Sequence, residues 1–219
     1  FRSDFIKLLI AKGANVNHRI KDSTQTRTVS TNQWLDENGA TAFLRASQSG
    51  DIELMKLLLE HGANPKIETE LHVTALQVAA GIGWVEGITY EWSPEQTTEA
   101  VKMLLKLGVD PNIQADTGRT AMHGAAFRGA NSVVKLLAEK GAKPNVKSKE
   151  GTTPEDLALG HKFINGGFNR HEDTAALVLI RLGEGFEFLE DGGVDRTEVT
   201  GEDDAARGGP FSDADLEAG

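Results

Sequence analysis

Six histidines, His18, His61, His72, His123, His161 and His171, are the side chains best suited to metal binding or proton transfer in this chain. No two of them stand at the i, i+4 spacing that sets a metal pair on one helix face. His161 and His171 flank one loop and, with Glu172 or Asp173, come nearest to a ligand set, but their spacing matches no firm metal motif. Gly81-Ile82-Gly83 has the start of a nucleotide loop, yet it follows a helical stretch and lacks the third glycine, so its expected work is to end a helix. Neither a G-x-S-x-G nucleophile turn nor a phosphate-binding loop is present. Cysteine is absent, which excludes disulfides, thiolate metal sites and thiol catalysis. The residues thus predict no catalytic group, no metal and no cofactor. Aromatic residues form the other notable cluster: Trp84, Tyr90 and Trp92 fall in one short stretch, Phe163 and Phe168 in another, with Phe127 and Arg128 between them.

The elements that position these groups are clearest between Gly118 and Val146. Thr120 can cap a helix over Ala121 to Phe127, Ala125 and Ala126 allow close packing, and Gly129-Ala130-Asn131 turns the chain. A second helix over Ser132 to Glu139 carries Val133, Val134, Leu136 and Leu137 on a wide apolar face and stops at Gly141. Neither helix is long enough to persist alone, so the unit needs stacked neighbours. The helix-ending glycines Gly13, Gly62, Gly108, Gly141 and Gly183 mark such units along the chain. Their spacing exceeds one 33-residue period wherever loops carry insertions.

The motif Thr120-Ala121-Met122-His123-Gly124-Ala125 resembles the T-P-L-H-x-A signature of the ankyrin repeat, and Gly13-Ala14-Asn15-Val16-Asn17 resembles its finger. The starts at Thr41, Thr74 and Thr153-Pro154 repeat the pattern, with Leu44 and Gln77 at the histidine position. The resemblance implies an all-α ankyrin-repeat solenoid of stacked helix-turn-helix units over residues 1–185. Its units are 1–17 (partial), 38–66, 71–112, 118–146 and 151–183, with insertions near 18–37, 83–96 and 160–170. It assigns structural roles to Thr41, Thr74, Thr120, His123, Thr153, Pro154, Gly13, Gly62, Gly108 and Gly141. The His123 side chain is expected to tie neighbouring loops. A second resemblance, to bacterial ankyrin proteins of unassigned role, rests on the insertions and on the stretch RGANSVVKLLAEKGAK.

Ser93-Pro94-Glu95 reads as a helix start within the insertion before the second helix, expected over Thr97 to Leu107. Thr24 to Thr31 reads as an extended hairpin, with Trp34 as the large anchor of that long finger. The chain opens on Phe1 within a second helix, which predicts further repeats upstream and leaves any signal peptide unobservable. The compartment stays open between bacterial cytoplasm and periplasm.

From Glu184 onward twelve acidic residues face only Arg196 and Arg207, so this tail carries the whole net charge of -10 and the rest of the chain is balanced. The composition of 186–219 predicts disorder, as a linker or as a competitive tail on the array, with Phe186, Phe188 and Leu189 able to dock on the last helices. A neutral array gives no reason to expect nucleic acid, and no apolar run approaches the roughly 18 residues of a membrane span.

Ankyrin arrays bind proteins through fingers and first helices, so the resemblance implies a monomeric protein-interaction module with an unidentified protein or peptide partner. The positions expected to face that partner are Arg45, Gln48, Gln77, Gln114, Asp116, Arg119, Lys147 and Lys149, with Trp34 from the long finger. Insertions at equivalent positions emerge on one edge of a solenoid. Trp84, Tyr90, Trp92, Phe163 and Phe168 would then form an aromatic ledge across the Phe127 to Asn131 turn, beside Arg128. The opposing reading is that these rings only cover their own helix ends. Two other functions stay open: the recognition arm of a larger enzyme whose catalytic domain lies outside this stretch, and a purely structural spacer.

Overall fold

The computed structural model describes residues 2–21, 35–84, 93–160 and 170–180. The expected hairpin at Thr24 to Thr31, Trp34, Tyr90, Trp92, Phe163, Phe168, Gly183 and the tail lie outside the described residues. Residues 1–185 form one compact unit that holds every described element. Among the described residues the secondary structure is entirely helical: α1 (Arg2–Ala11), α2 (Ala42–Ser49), α3 (Ile52–Glu60), α4 (Ala75–Ala80), α5 (Pro94–Lys106), α6 (Ala121–Arg128), α7 (Asn131–Glu139), α8 (Pro154–Ala158) and α9 (Glu172–Ile180).

The helices α2, α4, α6 and α8 start at a threonine and α5 at a serine, whereas α3 is capped by Asp51. The Thr41 side chain accepts from Leu44 N–H, and Thr74 and Thr153 form capping boxes with Gln77 and Asp156. Pro154 occupies the first turn of α8, where no N–H partner is lost. Ser93 caps α5, so this helix begins at Pro94, three residues before the expected Thr97, and is the longest of the nine. Thr97 thereby reaches the end of α2, its backbone lying on Gly50.

The stops are equally regular. Gly13, Gly62, Gly108 and Gly141 take positive φ (92°, 85°, 75° and 81°) just past α1, α3, α5 and α7. The next N–H of each then reaches back to close the last turn: Ala14 to Leu9, Ala63 to Leu58, Val109 to Leu104 and Ala142 to Leu137, at 2.9–3.2 Å.

The helices pair as α2 with α3, α4 with α5, α6 with α7 and α8 with α9, and the pairs stack in two rows. First helices run α2, α4, α6, α8; second helices run α3, α5, α7, α9. Met55, Leu58, Leu76, Val101, Leu104, Met122, Val133 and Leu137 fill the space between the rows. The first helices come unusually close at Gly81 and Gly124: a Cβ on Gly124 would stand 2.7 Å from the Ile82 nitrogen. Gly81-Ile82-Gly83 therefore serves to end α4 against α6, and neither glycine has room for a side chain.

A second, smaller apolar cluster lies on the side of α2 and α4 turned away from α3 and α5. It joins Leu44, Val78 and Ile82 to Leu35, Ala40, Val73 and Ala115. Leu35 reaches it from the segment that leads into α2.

Candidate partner-binding surface

The fingers between repeats are tied tip to tip. Glu70 N–H donates to the Asn38 carbonyl (2.8 Å), Asp116 N–H to Leu71 (3.0 Å) and Lys149 N–H to Thr117 (2.8 Å). These bonds use backbone only, which leaves Gln114, Asp116, Lys147 and Lys149 exposed on a held loop framework. Asp116 faces His72 Nδ1 at 2.9 Å, and His72 is the one non-glycine residue with positive φ (57°) among those described. A shallow cleft of about 490 Å³ runs along the first fingers, lined by Arg19, Lys66, Glu68, Glu70 and His72.

Two positions expected to face a partner are instead inside. Gln77 is only 1% exposed. Its Oε1 accepts Thr74 N–H (2.7 Å) and its Nε2 donates to the Ile113 and Arg119 carbonyls (both 2.9 Å), so the amide staples repeat three to the next finger. Arg119 is 6% exposed and its guanidinium meets Glu150 at 2.8 Å. Burial pulls its pKa down, and the Glu150 charge acts the other way.

His123 performs the staple one repeat later. It is fully buried; Thr120 N–H donates to Nδ1 (3.1 Å) and Nε2 donates to the Thr152 carbonyl (3.2 Å). Burial is the main cause that pushes its pKa down from 6.5 to about 4, opposed by the Thr152 hydrogen bond and reinforced by Arg119. The imidazole is therefore neutral at pH 7.

Arg45 and Gln48, half-buried on α2, are engaged too. Arg45 pairs with Glu37 and donates to Gln48 Oε1 at 2.7 Å. Leu35 sits two residues before Glu37 against Gly83, where an added Cβ would stand 2.6 Å from Leu35 Cβ. Sequence reasoning passed over Leu35 in favour of Trp34. Its one signal was a lone leucine followed by Asp36-Glu37-Asn38-Gly39 in an otherwise polar insertion.

On the opposite, turn-side edge the Arg128 guanidinium lies 5.4 Å from the centre of the Trp84 ring and its Nη2 is 3.5 Å from Thr97 Oγ1. A cleft of about 410 Å³ opens there, with Trp84, Pro94, Thr97 and Thr98 on one wall and Arg128 to Val133 on the other. The His171 ring lies directly on Gly129 from the far side. The short turn thus runs between Trp84 and His171, while the other four ledge aromatics lie outside the described residues. Among the described residues no three His, Asp or Glu side chains gather as metal ligands, and no helix is long and apolar enough to cross a membrane.

Family models agree with this architecture: residues 38–70 match a single ankyrin repeat and residues 93–181 match a model of three ankyrin repeats. The chain belongs to the ankyrin repeat family. Ankyrin repeats are in general protein-protein interaction modules, and repeats of this family are typically non-catalytic. A nematode protein, the Caenorhabditis elegans homolog of transient receptor potential cation channel subfamily A member 1, is 29% identical over 144 residues, 66% of this chain. The chain spans only 10% of that relative's length. Since the relative is an animal protein, the likeness to bacterial ankyrin proteins gains no support from it.

Proposed function

We propose that this ankyrin array binds a protein partner through the outer positions of its later fingers, with the turn-side ledge as a second contact. The observation that carries this reading is the finger framework. Consecutive tips are fixed by backbone hydrogen bonds while Gln114, Asp116, Lys147 and Lys149 stay exposed. A surface already held in shape loses little entropy when a partner docks, so a few side chains suffice for affinity. Trp84 and Arg128 supply an aromatic and a cationic anchor on the other edge, and Tyr90, Trp92, Phe163, Phe168 and Trp34 extend the same reading.

The test is affinity capture with the intact array against the combined variant Gln114→Ala, Asp116→Ala, Lys147→Ala and Lys149→Ala. These exposed positions lie outside both apolar clusters, so the variant should melt within a few degrees of the parent and lose the captured partner. Retained capture by a folded variant would sink the finger reading. The variant Trp84→Ala, Tyr90→Ala, Trp92→Ala examines the ledge in the same assay.

The relative, ten times as long as the matched stretch in outline, favours a second reading in which the array is the recognition arm of a larger protein. Its name speaks for an arm on a channel more than for an arm on an enzyme.

A further inference from the structure

The side of α2 and α4 that carries the smaller apolar cluster is already covered by the chain itself. Leu35, 3% exposed, fills an apolar slot made by Leu44 on α2, Val78 on α4, and Ile82 just beyond α4, and it presses on Gly83. Two residues later Glu37 places its carboxylate on Arg45 Nη1, which also donates to Gln48 Oε1. The segment is then joined to the first finger through Ile20 N–H to the Ala40 carbonyl (2.9 Å) and enters α2 at Thr41. An apolar side chain in a slot, followed by a charge on a fixed arginine, is how an extended peptide is read by a groove.

Gly83 sharpens the point. Its φ of 79° and the absence of a Cβ are what let Leu35 descend to the α4 end, so the slot is shaped on both chain segments. Arg45 and Glu37 are both partly buried, the carboxylate more than the guanidinium.

We propose that residues 35–37 are a cis occupant of a peptide-binding slot, and that the slot takes in trans an extended segment bearing an apolar side chain followed two residues later by a carboxylate. The proposal rests on the reading of the array as a binding module and names a surface separate from the exposed fingers. Occupation in cis lowers apparent affinity for such a segment by the fraction of molecules in which the slot is open. The tethered segment competes at a local concentration set by its short connection to α2.

The probe is a fluorescein-labelled synthetic peptide with the sequence of residues 33–40, QWLDENGA, titrated into the whole chain. The double variant Leu35→Ser, Glu37→Gln vacates the slot while keeping Leu44, Val78, Ile82 and Arg45. It should bind the peptide saturably, and on the order of tenfold or more tighter than the unaltered chain does. A peptide with serine in place of its leucine should not bind. Absence of saturable binding by a double variant whose circular dichroism and melting transition show a folded array overturns the proposal. If the double variant is unfolded, Leu35→Ala alone, which leaves Glu37 on Arg45, is titrated with the same two outcomes. Failure here leaves partner capture by the fingers untouched, and loss of capture by the finger variant leaves peptide binding untouched, so the two readings fall separately.

Discussion

His123 and Gln77 hold the same place in consecutive repeats and make the same staple with different chemistry. Each accepts the N–H of its capping threonine and donates to the carbonyl just before the next capping or equivalent position, Arg119 for Gln77 and Thr152 for His123. Only the imidazole titrates. With its folded pKa pushed down to about 4 against an ordinary 6.5, the unfolded chain binds the proton more readily between those values. Stability is then complete above about pH 6.5 and is lost as pH falls toward 4, by up to about 3 kcal/mol. His123→Gln should keep both hydrogen bonds, as Gln77 does, and remove this part of the acid sensitivity. Urea midpoints of parent and variant, measured from pH 7 to 4.5, should diverge as pH falls; parallel curves would show that the histidine is not held neutral.

At the scale of elements, one finger departs from the others. Asn17 donates to the Gly62 carbonyl (2.9 Å) and accepts from Asn64 N–H (2.8 Å); Asn112 does the same to Gly141 (3.0 Å) and Lys143 (2.8 Å). These clips fasten a finger to the end of the following helix pair. Between repeats two and three the equivalent residue is Lys66, whose ammonium merely approaches Gly108. Its backbone is already in the clip geometry, since Lys66 N–H meets Asn64 Oδ1 at 3.0 Å as Asn17 and Asn112 meet Asn15 and Asp110. Lys66→Asn should therefore create a clip onto Gly108 and Asp110 and raise stability by about 0.5–1 kcal/mol, the net worth of exposed hydrogen bonds. Denaturant unfolding should show a higher midpoint at unchanged slope. An unchanged midpoint would mean that the second finger cannot close on the third repeat. Helix starts and stops were legible because they are local: Thr41, Thr74, Thr153 and the glycines act within one turn of where they stand. Gln77 and Arg119 were misread as outward because their burial depends on the finger of an adjoining repeat. Leu35 was overlooked for the same reason, as its slot is completed by Gly83 beyond α4.

Within residues 1–185 the main packing pairs of the described helices join neighbours, so what happens at one joint need not spread. The joints are unlike. Repeats two and three meet through Leu44, Val78 and the inserted Leu35; three and four through Gln77 and the close approach of Gly81 to Gly124; four and five through His123. Acid therefore attacks one joint by a means the other two lack. A protonated His123 places a second N–H against Thr120 N–H, in a fully buried site with Arg119 as the charged neighbour. That repulsion loosens the contact of α6 with α8 and, through α8, the hold on α9. Hydrogen exchange corrected for intrinsic rate should accelerate first in α8 and α9 between pH 7 and 5, while α2 to α5 keep their protection. His123→Gln should abolish the difference between the two ends. Uniform acceleration along the stack, or an unchanged pattern in the variant, would show that the array opens as one unit and that its fifth repeat is not held by the histidine.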